Sequence, residues 1–247
     1  MAPADPLSHG LLEISGLTKS YGRTVALADV EFEVRRREIL GLIGPNGAGK
    51  TTLFECLAGV LPSDRGVVTF DGRPLTRREI AAELFYVPDA ITPWPAETVR
   101  WALNYTIGFF GGAIDRVDDV VRQLDLALLL DTAVGALSKG QRKRVALAIG
   151  MLAPQPVLLA DEPFDGLDLR QSREAAVALR THAAEGRTLV LSIHQIADAA
   201  RVCDRFVLLS GGRVRGEGTT ADLAALATSR GLVSAGKDLE EVFLALT

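Results

Sequence analysis

The sequence predicts an α/β fold with a mainly parallel sheet, an N-terminal antiparallel β subdomain and an inserted helical subdomain. Short apolar runs typical of buried strands alternate with segments whose apolar residues recur at helical spacing. A glycine-rich turn joins one buried run directly to a helix, and the stretch from Pro88 to about Ser138 is mostly helical. No repeat or flexible linker divides the chain, so these observations predict one copy of such a fold and not a tandem pair.

The N-terminal part predicts three strands and a helix. Leu11 to Leu17 and Val25 to Val34 carry strand-like apolar residues on either side of Gly22, and Glu38 to Ile43 suits a buried strand. Beyond the glycine-rich turn, four apolar residues fall at i, i+3, i+4 and i+7, which predicts one face of a helix. This face consists of Leu53, Cys56, Leu57 and Val60.

The rest of the chain completes the alternation. Gly66 to Phe70 reads as a strand before the Asp71-Gly72 turn, and a charged helix around Arg77 to Leu84 precedes the strand Leu84 to Val87. A helical subdomain of about residues 88–144 follows. Two buried parallel strands, Val157 to Ala160 and Thr188 to Ile193, flank the helix Arg170 to Glu185. We therefore expect a main domain at residues 11–218 and a helical tail at 219–247.

Composition excludes some classes of function. A net charge of −4 and an isoelectric point near 5.5 argue against a nucleic-acid partner, whose binding needs a surplus of Lys and Arg on one face. The uncharged stretch from Trp101 to Ile114 contains glycines and falls short of the roughly 20 apolar residues that cross a membrane. The first six residues lack the pattern of a secretion signal. We expect a cytoplasmic protein without a membrane span.

The glycine-rich turn fits G-x-x-x-x-G-K-[ST], a phosphate-binding loop, between an apolar strand and an amphipathic helix. Its backbone N–H groups and the helix N-terminus attract phosphate oxygens, and a chance turn would not sit in this context. Lys50 is predicted to neutralise the β and γ phosphates of a nucleotide, Thr51 to bind Mg²⁺ and Thr52 to contact the α phosphate. The predicted nucleotide-binding residues here are Gly44, Pro45, Asn46, Gly47, Ala48, Gly49, Lys50, Thr51 and Thr52.

Two carboxylates end the apolar strand Val157 to Ala160, at the edge where parallel sheets place functional groups. Asp161 is predicted to hold Mg²⁺ through its water shell. Glu162 is predicted to act as the general base for the water that attacks the γ phosphate. The alternative is that Asp161 and Glu162 are simply solvated residues at the end of a strand; the presence of the phosphate-binding loop favours the catalytic interpretation.

Four further segments carry a family resemblance. Leu137-Ser138-Lys139-Gly140-Gln141 resembles the LSGGQ signature of ATP-binding cassette (ABC) ATPases, and Leu167-Asp168 resembles their D-loop. Ser192-Ile193-His194 resembles the strand end that carries their switch histidine, and Tyr21 resembles the aromatic residue that stacks on adenine. The resemblance spans Leu11 to about Gly218.

The resemblance implies a P-loop NTPase core that hydrolyses ATP with Mg²⁺, with Glu162, His194 and Lys50 as catalytic residues. It also implies that Ser138, Gly140, Gln141 and Asp168 help to bind ATP held by a second copy, so that two cassettes close head to tail. Ser138 is also a plausible helix N-cap, and a capped helix N-terminus is an anion site.

Two of the departures from the family pattern bear on the candidate site. Asp89 stands where the family has a Gln that contacts Mg²⁺ and relays to the membrane subunit, so we expect Asp89 to be a metal or relay contact. Lys139 replaces a signature glycine and extends a basic cluster, which predicts either a solvated helix face or support for ATP attraction. That cluster consists of Lys139, Arg142, Lys143 and Arg144.

The resemblance further implies a separate membrane permease, with the chain bound peripherally at the inner face of the cell membrane. Phe109 and Phe110 make the helical subdomain unusually apolar, and we expect part of it to be the docking groove. The C-terminus resembles bacterial ABC-2-type exporter ATPases, although a plain amphipathic helix would have the same pattern. Its apolar face consists of Leu239, Val242, Phe243 and Leu246. Export is favoured over import, and a soluble ABC ATPase acting on ribosomes or DNA is the rival class.

Overall fold

The computed structural model describes residues 10–232 and 239–246. Its strands, in chain order, are β1 (Leu12–Tyr21), β2 (Thr24–Val34), β3 (Ile39–Ile43), β4 (Arg65–Phe70), β5 (Arg73–Pro74), β6 (Leu84–Val87), β7 (Val157–Asp161), β8 (Thr188–Ile193), β9 (Arg205–Ser210) and β10 (Arg213–Gly218). Its α-helices are α1 (Lys50–Leu57), α2 (Arg77–Glu83), α3 (Val99–Phe110), α4 (Asp115–Gln123), α5 (Lys139–Leu152), α6 (Leu169–Ala184), α7 (Ile196–Val202), α8 (Thr220–Ser229) and α9 (Leu239–Leu246).

The larger sheet is the centre of the molecule. Its order is β10-β9-β3-β8-β7-β6, and every pairing is parallel except that of β10 with β9. All residues of β3, β7 and β8 are buried, because helices or the second sheet cover both faces. This confirms the predicted α/β class and places the carboxyl ends of β3, β7 and β8 along one edge.

The smaller sheet is antiparallel, in the order β2-β1-β4-β5. Its inward residues, including Leu12, Leu17 and Leu27, pack with α1 and with one face of the larger sheet in a single core. The opposite face of the larger sheet packs on α5, α6 and α7 in a second core. The phosphate-binding loop therefore lies between two layers that hold its flanking elements firmly.

Helix α1 is shorter than its apolar pattern predicts. It ends at Leu57, and Gly59 follows in the left-handed region with φ of 70°. Leu53, Cys56 and Leu57 are buried as expected, whereas Val60 is 61% exposed. The assignment of Val60 to the buried face was wrong, because the glycine turn ends the helical periodicity before it reaches that residue.

The inserted region is helical, as predicted. Helix α3 has Thr98 as its N-cap and ends at Gly111, whose φ is 73°. Helices α3, α4 and α5 bury one apolar face each in the same core as the larger sheet. Two short 3-10 turns, Ala127–Leu129 and Val134–Ala136, lead into α5. Helix α5 runs past residue 144 to Leu152, so it joins the insertion to the sheet without a break.

The C-terminal part adds elements that the sequence reading missed. Strands β9 and β10 extend the larger sheet, and the buried Arg205 of β9 bridges Glu38 and Glu217. Helix α9 buries Val242, Phe243 and Leu246 as expected, with Phe243 edge-on to Phe206 at 5.8 Å. The side chain of Leu239, residues 233–238, Thr247 and the first nine residues lie outside the described part, and the boundary at residue 218 stays a prediction.

Across the described residues, no helix combines the length and the apolar character that a membrane crossing needs. Helix α3, which contains most of the uncharged stretch, has 12 residues.

Candidate functional site

The phosphate-binding loop links β3 to α1 in a conformation that requires glycine. Gly49 is the N-cap of α1 with φ of 105°, and a Cβ there would lie 2.6 Å from the Ala26 carbonyl oxygen. A Cβ on Gly44 would lie 2.0 Å from the Leu209 carbonyl oxygen. The loop is therefore pressed against β2 and β9, and the first N–H groups of α1 remain available to an anion.

Lys50 is held at the mouth of this loop. Its side chain is 7% exposed, and its Nζ donates to the carbonyl oxygens of Gly44 at 2.7 Å and Pro45 at 3.4 Å. The same nitrogen lies 3.8 Å from Oε1 of Glu162. The two carbonyl oxygens and the Glu162 carboxylate stabilise the nearly buried ammonium group of Lys50. Phosphate oxygens bound in the loop would replace some of these contacts.

Asp161, at the end of β7, is only 2% exposed, and both oxygens of its carboxylate accept hydrogen bonds from hydroxyl groups. Thr51 Oγ1 donates to Oδ2 at 2.8 Å, and the Ser192 hydroxyl donates to Oδ1. Tyr86 donates weakly to Oδ2 at 3.5 Å. Burial and the charge of Asp161 raise the pKa of Tyr86, so it stays a donor. Sequence reasoning identified Thr51 and Asp161 but missed Tyr86 and Ser192 as their orienting partners.

Glu162 and His194 form a contact pair across the ends of β7 and β8. The distance from Glu162 Oε2 to His194 Nδ1 is 2.6 Å, and the Glu162 side chain is 17% exposed. Glu162 has φ of 48°, a strained value for a residue with a side chain. Its backbone N–H donates to the carbonyl and hydroxyl oxygens of Ser192 at 3.1 and 3.0 Å. This backbone conformation directs the Glu162 carboxylate away from β7 and places it between Lys50 and His194.

Ser138, in the segment Leu137–Gln141, is the N-cap of α5, as predicted. Ser138 Oγ accepts from the Gln141 N–H at 3.3 Å, and Gln141 Oε1 accepts from the Ser138 N–H at 2.8 Å. A Cβ on Gly140 would lie 2.4 Å from the Gly166 carbonyl oxygen, so glycine allows α5 to approach the loop before α6. Among the described residues, no hydrogen bond joins Ser138, Gly140 or Gln141 to the phosphate-binding loop of the same chain.

A family model described as ABC transporter matches residues 27–165, from β2 through the phosphate-binding loop to the strand that carries Asp161 and Glu162. This chain belongs to the ABC transporter family. The geometry and the family together identify it as an ATP-binding protein of this family that hydrolyses ATP.

Similar proteins agree with this assignment. The chain is 35% identical over 218 residues to the Nod factor export ATP-binding protein I of Bradyrhizobium diazoefficiens, covering 86% of this chain and 71% of that protein. It is 35% identical over 234 residues to the hemin import ATP-binding protein HmuV of Thermobifida fusca, covering 90% and 82%. A solved structure of an ATP binding subunit of an ABC transporter superposes with a TM-score of 0.84 at 30% identity, covering 96% and 99%.

In this ABC ATPase, Asp89 is paired with a buried lysine. Lys143 Nζ donates to Asp89 Oδ1 at 2.7 Å, to the Asp89 carbonyl oxygen at 3.1 Å and to the Asp161 carbonyl oxygen at 3.2 Å. The Lys143 side chain is 3% exposed. This lysine thus connects the segment after β6 to the carboxylate strand, and the predicted metal or relay role of Asp89 stays a prediction.

The interpretation of the basic cluster as a solvated helix face is wrong for two of its four members. Lys143 and Arg144 are 4% and 5% exposed, and Arg144 donates to the carbonyl oxygens of Leu124 and Asp125. Lys139 is exposed and pairs with Asp165 at 2.5 Å. The error has a physical reason: consecutive positions on a helix point in different directions, so a charge run cannot lie on one face.

Among the described residues, the remaining predicted contacts form no hydrogen bond with Asp161 or Glu162. Asp168 caps α6 by accepting from the Gln171 N–H at 2.8 Å. Tyr21 is 50% exposed at the end of β1, with Lys19 Nζ 5.8 Å from its ring centre. Thr52 lies in the first turn of α1. Their roles toward nucleotide stay predictions.

Replacing Asp89 with Asn is expected to lower the free energy of unfolding by about 1–3 kcal/mol, because the buried Lys143 loses its charged partner. Urea denaturation of the purified chain measures this change. Lys143→Met should have a smaller effect, since the half-exposed Asp89 can then be solvated. Asp131→Asn is the control because the Asp131–Arg100 pair is exposed. Equal losses for Asp89→Asn and Asp131→Asn would contradict the importance of the buried pair.

Proposed function

We propose that this ABC ATPase energises export through a separate membrane-spanning partner, and that two copies of the chain close over ATP. The observation that carries the proposal is the separation of two half-sites on one chain. The phosphate-binding loop and Glu162 form one half, and the exposed, capped start of α5 forms the other. Because these halves do not meet within the chain, a second copy would bring Ser138 to the nucleotide.

In this proposal, the chain's own groups bind the triphosphate in a defined order along the site. Lys50 exchanges its loop carbonyls for β and γ phosphate oxygens, while the N–H groups of α1 contact the remaining phosphates. Thr52 contacts the α phosphate, and Tyr21 stacks on the adenine. The signature residues Ser138, Gly140 and Gln141 and the D-loop residue Asp168 of the second copy close the site.

The carboxylate pair fits a bound magnesium ion. Thr51 Oγ1 and Asp161 Oδ2 lie 2.8 Å apart, and both are oxygen donors of the kind that Mg²⁺ prefers. When bound, Mg²⁺ would neutralise charge on the β and γ phosphates. Asp161 would reach it through water, and Asp89 would contact it or relay to the membrane partner. Ser192 and Tyr86 hold Asp161 in place for this role.

Glu162 acts as the general base in this proposal. Its carboxylate accepts a proton from the water that attacks the γ phosphorus, and the bond from that phosphorus to the bridging oxygen of ADP breaks. His194, 2.6 Å from Glu162, holds the carboxylate in its strained position. Lys50 stabilises charge on the phosphate oxygens during the transfer.

The direction of transport rests on resemblance. Nod factor export proteins of several organisms match at 33–35% identity, which supports export. The hemin import protein matches at 35%, which supports the importer alternative. Burial of Val242, Phe243 and Leu246 agrees with an ordered exporter-type C-terminal helix but also with an ordinary amphipathic helix.

An exposed aromatic stripe supports docking to a membrane partner. We define the stripe as Trp94, Trp101, Tyr105 and Phe109, whose rings contact one another at centroid distances of 4.9–6.2 Å. Phe109 is 69% exposed and Tyr105 is 45% exposed. Phe110, in contrast, packs edge-on against Phe85 at 6.1 Å. Phe109 is therefore the better probe of a surface that would hold the chain at the cytoplasmic face of the membrane.

A cavity of about 410 Å³ beside the stripe is suited to receive part of such a partner. Pro88, Ile91 and Trp94 line it on one side, and Ala146 and Ile149 of α5 line it on the other. The cavity thus lies between the segment that carries Asp89 and the helix that carries Ser138. A partner seated there would contact α5 and the segment next to Asp89 at once.

Phe109→Asp is expected to reduce recovery of the tagged chain with membranes about tenfold, because a charge would be placed in an apolar contact. Its ATPase rate in detergent-free solution should stay within about twofold of wild type, since Phe109 is remote from the carboxylates. Membrane pelleting and identification of copurified proteins provide the measurement.

Val177→Asp on α6 is the matched control, because Val177 is 66% exposed and lies outside the stripe. It should leave membrane recovery unchanged. Retention of Phe109→Asp on membranes at the wild-type level would argue against the docking surface. Copurification of the wild-type chain with ribosomes or DNA instead of a membrane permease would overturn the proposed function.

A further inference from the structure

A second polar pocket lies at the edge of the larger sheet opposite the phosphate-binding loop. Its volume is about 400 Å³, and its wall includes Arg116, Gln155, His182, Glu185 and Arg187. Arg187 immediately precedes β8, and Gln155 closely precedes β7. These strands must be crossed to reach the nucleotide edge, a distance of roughly 17–20 Å. The pocket is therefore separate from the nucleotide site.

Arg187 has an unusual environment for a buried cation. It is 8% exposed, and its Nη1 donates to the carbonyl oxygens of Gly150 at 2.7 Å and Met151 at 3.4 Å. Nη1 also donates to His182 Nε2 at 2.9 Å. Its Nε and Nη2 are buried and have no hydrogen-bond partner in the part of the chain that the structure describes. These two nitrogens form one edge of the guanidinium, the edge that binds an oxyanion in a bidentate way.

The charge around this edge is uncompensated. Among the described residues, no carboxylate forms an ion pair with the guanidinium of Arg187 or with that of Arg116, which donates to the Met151 carbonyl oxygen. Burial and the repulsion of Arg116 lower the pKa of Arg187 to about 9, so it is still charged at neutral pH. Burial and both arginines lower the pKa of His182 to about 3, so it is neutral. Glu185 faces His182 at 3.8 Å and is 65% exposed.

The end of α5 explains part of this arrangement but not all of it. The carbonyl oxygens of Gly150 and Met151 belong to its last turn, where the helix carries about half a negative charge. The two positive charges of Arg116 and Arg187 exceed that negative charge, and only one nitrogen of each guanidinium donates to these carbonyl oxygens. A purely structural role for Arg187 therefore leaves its bidentate edge unexplained, and leaving buried N–H groups unpaired is unfavourable.

We propose that this pocket binds a small phosphate-type anion. Nε and Nη2 of Arg187 are covered in this structure, so the rim of the pocket must first open; two oxygens of the anion then accept from these nitrogens, and the exposed side chain of Arg116 closes over a third. The buried Oε1 of Gln155, which has no partner among the described residues, lines the same pocket and suits the hydroxyl of a monoprotonated phosphate. The exposed Glu185 moves aside, since its carboxylate would repel the anion.

Calorimetric titration with inorganic phosphate tests the proposal. The full chain is first saturated with Mg²⁺ and a non-hydrolysable ATP analogue, so that the phosphate-binding loop is filled. We expect one saturable site in the wild-type chain. Arg187→Gln should weaken phosphate binding at least about 30-fold, because a buried charged partner is lost. Arg116→Gln, at the exposed rim, should weaken it by a smaller factor.

Arg122→Gln is the matched control, because Arg122 lies on α4 like Arg116 but pairs with Asp119 in solvent. It should bind phosphate like the wild-type chain. Thermal melting separates ligand binding from a structural role: phosphate should raise the melting temperature of the wild-type chain but not that of Arg187→Gln. Absence of saturable binding to the wild-type chain would overturn the proposal, as would wild-type phosphate affinity in Arg187→Gln. Should Arg187→Gln fail to fold, unchanged binding by Arg116→Gln would overturn it.

Discussion

Glu162→Gln is expected to lower the turnover number for ATP hydrolysis about 100- to 10,000-fold, the range attributed to a positioned general base. Gln retains the size of the side chain and its contact with His194, but its amide cannot accept a proton from water. The backbone N–H bonds to Ser192 do not involve the side chain, so the strained turn at residue 162 should persist. A steady-state assay of phosphate release measures the loss.

Nucleotide binding should survive this change, because the loop and Lys50 are intact. ATP-bound pairs of the variant are expected to accumulate, and size-exclusion chromatography with ATP and Mg²⁺ would detect them. Glu174→Gln on α6 is the control, since Glu174 pairs with Arg170 away from the site. Hydrolysis by Glu162→Gln at a rate near that of the control would rule out Glu162 as the base.

The parts of the site that could be predicted are those set by local sequence. Strand β3, the glycine-rich turn and the start of α1 are consecutive in the chain. The local sequence alone therefore determines the conformation of Gly44 to Thr51. The position of Asp161 and Glu162 at the end of a buried parallel strand also follows from local pattern. Ser138 was predicted as a helix N-cap, and Gln141 at the third helical position completes that cap. Asp168, predicted only as a D-loop residue, caps α6 in the same way with Gln171.

The parts that could not be predicted depend on contacts between distant segments. Lys143 meets Asp89 across 54 residues of sequence, and neither the charge run around Lys143 nor the strand before Asp89 indicates that pairing. Strand β10 was missed because charged residues and glycines break its apolar pattern. Strand β9 was missed although Phe206 to Leu209 is an apolar run typical of a buried strand; the structure pairs its first residue, Arg205, with Glu217. Val60 was misplaced because periodicity alone does not show where a glycine turn ends a helix.

Under the proposed function, the two half-sites explain why the state of association of this chain would affect its activity. In the first half-site, Asp161 and Lys50 are buried and fixed by the fold. In the second half-site, the side chains of Ser138 and Gln141 form a reciprocal cap, each accepting from the other's backbone N–H, at the exposed start of α5. Such a cap leaves N–H groups of the first turn directed outward. A negatively charged group from another copy would find both a preformed anion site and little reorganisation cost.

Lys50→Ala is expected to weaken ATP binding by about 2–5 kcal/mol, since it removes the charged partner of the β and γ phosphates from a nearly buried position. The chain should still fold, because alanine favours the first turn of α1 and the carbonyl oxygens of Gly44 and Pro45 can accept from water. Calorimetric titration with ATP and Mg²⁺ gives the change in affinity. Arg73→Ala, at an exposed ion pair with Glu79, controls for loss of positive charge elsewhere.

The contrast between the two variants separates binding from chemistry. Loss of Lys50 should abolish hydrolysis at ATP concentrations that saturate the wild-type chain, because the substrate is not held. Loss of the Glu162 carboxylate should leave ATP bound while turnover falls, since the carboxylate acts after binding. Both residues lie within 3.8 Å of each other, so a general disturbance of the site would affect binding in both variants alike. Tight ATP binding by Lys50→Ala would therefore contradict the role of Lys50, even if its hydrolysis were slow.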